Sequence, residues 1–345
     1  MRISIVVPVY NNSTDLSECV AALNASAFPD TEIIIVDDGS TDETASVAVT
    51  TGARVVNLTR NSGPAAARNH GARHARGEIL FFVDADVVLA PDALSRIEKV
   101  FQEQPDLAAA FGSYDARPRA SGVVSQYRNL LHHFVHQNGN PEATTFWAGC
   151  GAIRRSVFEQ VGGFDEKRFS RPSIEDIELG YRLRVAGHRI LLDKSLQGKH
   201  LKRWNLFSVI RTDLLHRAIP WSRLILENGK VPTDLNLNGG QKTSAALVAL
   251  VVVLSTLSTF WPELLVPSAL ALLGVFFLNR KLYAFFFRQN GLLFALACIP
   301  LHMLYFLYSG LSYFYVWIGY HCSGTVAIQT NPESDKKGTR VRLEP

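Results

Sequence analysis

The chain has 345 residues, 47% of them hydrophobic and 19% charged, with a formal net charge of +4 and a mean hydropathy of +0.08. That length accommodates about two domains, and the composition excludes a disordered, collagen-like or disulfide-framework chain. The charge is too small and too dispersed for a nucleic-acid binder, so no nucleic-acid partner is expected.

Met1-Arg2 runs directly into an apolar segment over 3–7, too short for a signal peptide, so the front of the chain is expected in the cytoplasm. That segment reads as a buried strand. Residues 15–23 place Leu16, Val20 and Leu23 on one helical face. A second apolar run over 32–36 ends in Asp37-Asp38-Gly39-Ser40. Residues 41–49 look helical, 54–58 strand-like, and 63–76 helical. A further strand over 79–83 ends in Asp84-Ala85-Asp86. Such alternation implies an α/β fold, a mostly parallel sheet with helices on both faces. Ligands then bind at the carboxyl ends of the strands. Tyr10-Asn11, Asp37-Asp38 and Asp84/Asp86 stand at three such ends.

The middle is less regular. It holds Gly149-Cys150-Gly151-Ala152, a helix from Ser156, and a helix opened by Ile174-Glu175-Asp176 that runs to Val185; His200-Leu201-Lys202-Arg203-Trp204 closes it. Residues 205–227 repeat apolar side chains at helical spacing between arginines, with Pro220 expected to break or kink the helix. This basic, Trp-bearing segment suits an interfacial helix; packing on the soluble domain is the competing reading. Cys19, Cys150, Cys298 and Cys322 form no CxxC pair and fit a reducing compartment.

Between Thr243 and Gly319 the charged residues are Glu263, Arg280, Lys281 and Arg288 alone. Residues 243–261 are long enough to cross a bilayer, 264–278 is short, and 291–319 spans with length to spare and a kink at Pro300. The basic residues around 283–287 point to an interfacial piece. The expected division is therefore a catalytic domain over 1–204, an interfacial helix and linker over 205–242, about three spans over 243–319, and a polar tail over 320–345. Three spans leave that mildly basic tail outside, which the positive-inside rule disfavours.

Two carboxylates one residue apart at a strand end can approach one divalent ion, although an isolated DxD is a weak motif. Here it has company. Pro8-Val9-Tyr10-Asn11, Val36-Asp37-Asp38-Gly39-Ser40-Thr41-Asp42, Gly63 through Ala67-Arg68-Asn69, Asp84-Ala85-Asp86 and Glu175-Asp176 follow one another in order. Over 1–204 the sequence resembles the family 2 glycosyltransferases, inverting enzymes of the Rossmann-like GT-A fold. The resemblance implies a nucleotide-diphosphate sugar donor and a divalent metal, Mg2+ or Mn2+. It puts Pro8, Tyr10, Asn11, Asp37, Asp38, Gly63, Arg68 and Asp84 around the nucleotide sugar, with Asp84 and Asp86 toward the metal. The competing readings are a plain turn for Pro8 and Tyr10, helix capping for Asp38, and a surface cation for Arg68.

Asp176 is the expected general base, since inversion needs a carboxylate to take the proton of the attacking hydroxyl. A helix-terminal charge is its bland alternative. Glu175 is expected to support the site or touch the acceptor. Processive members carry Gln-x-x-Arg-Trp where this chain has His200 to Trp204, so the sequence departs from a polymerase. His200 is read as a third metal ligand or an ordinary loop histidine, Arg203 as a diphosphate contact and Trp204 as a wall of the acceptor site. Gly149 and Gly151 are expected to line the acceptor side or to make a tight turn.

The expected activity is transfer of one sugar to a lipid-linked or polyprenyl-phosphate acceptor. It is placed at a multi-pass inner-membrane protein with its catalytic domain in the cytoplasm. The alternatives are a non-catalytic scaffold or nucleotide-sugar-binding subunit, and a processive polysaccharide synthase.

Overall fold

The apolar runs become strands β1 (Ile3–Val9), β2 (Thr31–Asp37), β3 (Arg54–Asn57) and β4 (Ile79–Val83), followed by β5 (Val87–Leu89), β6 (Leu107–Tyr114), β7 (Cys150–Arg154) and β8 (Arg189–His200). The computed structural model describes residues 2–26, 30–229, 235 and 238–322. The expected polar tail beyond Cys322 and most of the linker over 230–237 lie outside the described residues.

The strands form one sheet in the order β3-β2-β1-β4-β7-β6-β8-β5. Strands β1 to β4 are mutually parallel, whereas β7 runs antiparallel between β4 and β6, and β5 runs antiparallel to β8. The first half is thus the parallel sheet the alternation predicts, and the second half makes the whole sheet mixed. Helices α1 (Ser13–Ser26), α2 (Thr44–Thr50), α3 (Pro64–His74), α4 (Ala93–Glu103), α5 (Val123–Asn138), α6 (Arg155–Gln160) and α7 (Glu175–Val185) connect the strands.

Two cores result, because successive strand residues face opposite sides. Val6, Ile34, Leu80 and Phe82 pack under α3 and α7 on one face. Ile5, Val7, Ile35, Phe81 and Val83 pack under α1 and α4 on the other. Burial on both faces explains why these strands read as unbroken apolar runs.

A new helical series starts at Asn205, whose side chain accepts from the Ser208 N–H (2.8 Å) while Ser208 Oγ accepts from the Asn205 N–H (3.0 Å). Helix α8 (Leu206–Arg211) passes through a π-helical turn at Thr212–Ala218 into α9 (Ile219–Asn228). Pro220 therefore does not break the segment. It sits in the first turn of α9, where its missing N–H is tolerated, and the wider π turn precedes it. This segment packs on the catalytic domain rather than standing free of it. Leu224 joins the core under α3 and α7, and Trp221 Nε1 donates to Tyr181 Oη at 3.0 Å. Phe207 and Leu215 stay exposed.

Helices α10 (Gly239–Leu257) and α11 (Leu265–Leu278) form an antiparallel pair. Ser255 and Ser268 hydroxyls meet at 2.8 Å, and Asn279 donates to Ser244 Oγ at 2.9 Å. Helix α12 (Arg280–Cys322) is bent at Gly291, which has φ 80°, while Pro300 lies within the helix. The bend expected at Pro300 is thus found at a glycine, the residue that adopts positive φ without a steric penalty. Phe286 and Phe294, on either side of the bend, cluster with Tyr127, Leu130 and Leu131 of α5. Among the described residues, α10 and α12 are long and apolar enough to cross a membrane, and the apolar stretch Pro262–Leu278 is shorter.

Candidate active site

Strand β1 is followed by an exposed Tyr10 and then by Asn11 at φ 49°. Asn11 ties this loop to the one after β2: its backbone N–H donates to Ser40 Oγ (3.0 Å) and its side-chain Oδ1 accepts from the Thr41 N–H (2.8 Å). Asn11 therefore holds two loops together at the edge where a nucleotide is expected. Asp37 is buried at the end of β2 and accepts from the Ser40 N–H.

Asp38 is buried too, but it caps no helix. Its two oxygens accept from the N–H groups of Ser62 and Gly63, both at 2.8 Å. Burial pushes its carboxyl up; the two N–H groups oppose this and Asp37 adds to it. The close approach expected at Gly63 is made to protein: at φ 90°, a Cβ there would lie 2.5 Å from the Ser170 carbonyl oxygen.

Arg68 is no surface cation. It is buried beneath α3, donating to Asp84 Oδ1 at 2.7 Å and to Glu175 Oε1 at 2.9 Å. Burial disfavours its charge, but Asp84, Glu175 and Asp176 keep the guanidinium ionised. One side chain thus joins the DxD segment to the start of α7. Glu175 Oε2 also accepts from the Ser173 N–H at 2.9 Å.

Asp176 is half-buried at the start of α7. Its Oδ2 accepts from the Ala148 N–H (3.1 Å) and its Oδ1 from the Ile177 N–H (2.8 Å). Burial and then the neighbouring Glu175 push its carboxyl up to about 7, against the pull of Arg68 and of these two N–H groups. That is a suitable position for a base working near neutrality. Next to Ala148, the Gly149 carbonyl accepts from the Asp84 N–H at 3.2 Å. The two acidic segments are therefore fastened to consecutive residues.

Asp86 faces His200, with Oδ2 and Nε2 3.5 Å apart. Asn129 donates from Nδ2 to the Ser125 carbonyl, so its Oδ1 faces His200 Nδ1. The Nδ1 proton is thereby fixed, and Nε2 is turned to the carboxylate. Burial opposes the Asp86 charge, but His200 and then Lys202 outweigh it and hold the carboxyl below its usual range. Among the described residues no group of three or more His, Cys, Asp or Glu side chains is assembled to hold a metal. Asp86 and His200 offer one carboxylate oxygen and one ring nitrogen, two of the donors that a divalent ion would take.

Gly149 and Gly151 make room for Trp147, not for an open cleft. A Cβ at Gly149 would lie 2.6 Å from the Trp147 ring, and one at Gly151 2.3 Å from its carbonyl oxygen. Trp147 packs among Tyr114, His132 and His136, and Tyr114 stacks on His200 with centroids 4.2 Å apart. No motif in the sequence marks Trp147, Tyr114 or the α5 histidines, which come from three separate elements. Trp204 is buried, its backbone N–H donating to Ser125 Oγ at 2.7 Å, and Lys202 lies over its ring. Arg203 is exposed.

Residues 4–162 match the family model described as "Glycosyl transferase family 2". The chain is 33% identical over 243 residues to glycosyltransferase GlyG of Streptococcus pneumoniae, covering 65% of this chain and 77% of that protein. An uncharacterized glycosyltransferase of Nostoc sp. is 37% identical over 176 residues, 48% of this chain. The chain spans about half the length of several curated relatives, 54% in the Nostoc case. A mannosyltransferase of Pyrobaculum calidifontis, described in complex with GDP-Man and Mn2+, shares the fold with a TM-score of 0.57 over 91% of this chain and 87% of its own, at 19% identity. The sheet, the acidic segments at its edge and the identity along most of the pneumococcal protein agree: the chain belongs to glycosyltransferase family 2.

Proposed function

We propose that this chain transfers one sugar, with inversion, from a nucleotide-diphosphate sugar to a lipid-linked acceptor. The Asp84–Arg68–Glu175 bridge carries this reading, because it holds the DxD segment and the carboxylates of α7 at one centre. Asp176 takes the proton of the acceptor hydroxyl as its oxygen attacks the anomeric carbon. The bond to the leaving diphosphate breaks on the opposite face. The diphosphate leaves as an anion, and Arg203, exposed beyond the end of β8, is the cation assigned to it.

Asp86 and His200 are the residues that would hold a divalent ion, in keeping with the Mn2+ described in the Pyrobaculum neighbour. Such an ion neutralises charge on a diphosphate. Asp84, already paired with Arg68, positions the segment. Tyr10, Pro8, Asp37 and the loop closed by Asn11 frame the nucleoside.

The lipid-linked acceptor follows from the apolar helices. Helix α12 packs directly on α5, the helix whose other face touches Trp147. On this reading the chain is anchored in a membrane by α10 and α12, with α11 completing the hairpin. The departure at His200 from the Gln of processive members supports single transfer.

The test is released nucleoside diphosphate from a panel of UDP and GDP sugars, with Mn2+, Mg2+ or chelator, in detergent with and without membrane lipid extract. Turnover should need the metal and rise with the extract. Asp86→Ala and Asp176→Asn should each lose it by at least about a hundredfold. Turnover unchanged in both variants would sink the assignment.

A further inference from the structure

Between α5 and the first turns of α12 lies a cleft of about 300 Å³ that the transfer reaction does not use. Its floor is aromatic: Phe285 stacks on His133 and packs against Phe134. Its rim is cationic. Lys281 and Arg288, two turns apart on one helical face, line it together with Gln137 and Asn138. No carboxylate lines the cleft, and among the described residues neither cation pairs with one. His133 Nδ1 is engaged by the Tyr114 carbonyl at 2.7 Å, which turns the other ring nitrogen away from that bond.

The surroundings decide what kind of anion fits. The apolar pair α10 and α11 ends at Asn279, immediately before Arg280 and Lys281. Three residues beyond Arg288 the chain turns at Gly291 and presents Leu292 and Leu293, 59% and 83% exposed. A cationic cleft beside outward-facing leucines matches an amphiphile with a phosphate and acyl chains, and a soluble anion would leave the leucines unused.

We propose that this cleft binds the headgroup phosphate of an anionic glycerophospholipid, with Lys281 and Arg288 as its ligands. It is a lipid site separate from the acceptor's. The proposal rests on the membrane-anchored reading above.

The experiment uses the full chain purified in detergent and reconstituted into vesicles of phosphatidylcholine alone or with 30% phosphatidylglycerol. Lipid retained on the protein is counted by native mass spectrometry. Wild type should retain phosphatidylglycerol over phosphatidylcholine, and Lys281→Gln/Arg288→Gln should lower that preference about thirtyfold. Lys281→Arg/Arg288→Lys should restore it. Donor hydrolysis should be unchanged in both double variants, which reports that the catalytic domain is folded. Arg54→Gln/Lys99→Gln, exposed cations on β3 and α4, should keep the preference. Equal retention of both lipids by wild type, or a preference that survives the Gln variant, overturns the proposal. Displacement of the lipid by millimolar inorganic phosphate would assign the cleft to free phosphate and overturn its lipid character. Failure to associate with vesicles of either composition would instead strike the membrane reading.

Discussion

Arg68 offers its guanidinium to Asp84 on one side and to Glu175 on the other, all within a buried space. Removing it leaves two carboxylates without their counter-charge, so Arg68→Ala should cost about 3–5 kcal/mol of stability, read from thermal unfolding of the detergent-purified protein. Arg68→Lys should lose less, yet a single ammonium does not reproduce the fork that spans both acids. Asp176 supplies the pH dependence. Its folded carboxyl titrates near 7, above the ordinary range, so kcat/KM should fall as pH drops through about 7. The same shift costs stability: ionisation is less favourable in the folded protein, and the loss accumulates as pH rises from about 4 to about 7. Asp176→Asn should therefore gain melting temperature relative to wild type above pH 7, with the gap closing toward pH 4. At this scale the sequence revealed the acids, because acids at strand ends follow a pattern. It did not reveal that Arg68 is buried, since α3 looks polar until its neighbours are known. Trp147 carried no signal because its setting is built from α5, β6 and β7 together.

Among the elements, strands β1 to β4 and helix α7 match their apolar patterns to within a residue or two, as local periodicity allows. The antiparallel entries of β7 and β5 were hidden, for pairing direction is not written in a strand's own composition. The two bends show the limit most plainly. Pro220 follows a π turn that does without its N–H, and Pro300 lies inside a helix. The break belongs to Gly291. Gly291→Ala meets open space for its Cβ but a φ of 80°, so only backbone strain opposes it. It should cost about 1–3 kcal/mol in thermal unfolding. Pro300→Ala should be neutral or mildly stabilising in the same measurement.

For the whole molecule, charge counting places a boundary near Thr243, but the packing does not divide there. Leu224 belongs to the catalytic core, and α12 covers Tyr127, Leu130 and Leu131 of α5. A buried Asp213 in the π turn accepts from Arg128 at 2.7 Å and from Tyr308 Oη at 2.6 Å, joining α5 to α12. Asp213→Ala should leave Arg128 unpaired, cost about 3–5 kcal/mol, and open the π turn to limited proteolysis. Its donor hydrolysis should fall with the loosening of the turn, because the His216 carbonyl in that turn holds Ser173. Pro220 has no N–H for the turn before it, and in that turn the His216 carbonyl accepts from Ser173 Oγ at 3.0 Å. Ser173 in turn holds Glu175, which holds Arg68, which holds Asp84. If α8 and α9 rest against the bilayer, the DxD segment that Asp84 opens is levelled from below as well as from the sheet. Its height above the lipid surface is then fixed by four side-chain contacts instead of by the length of a tether.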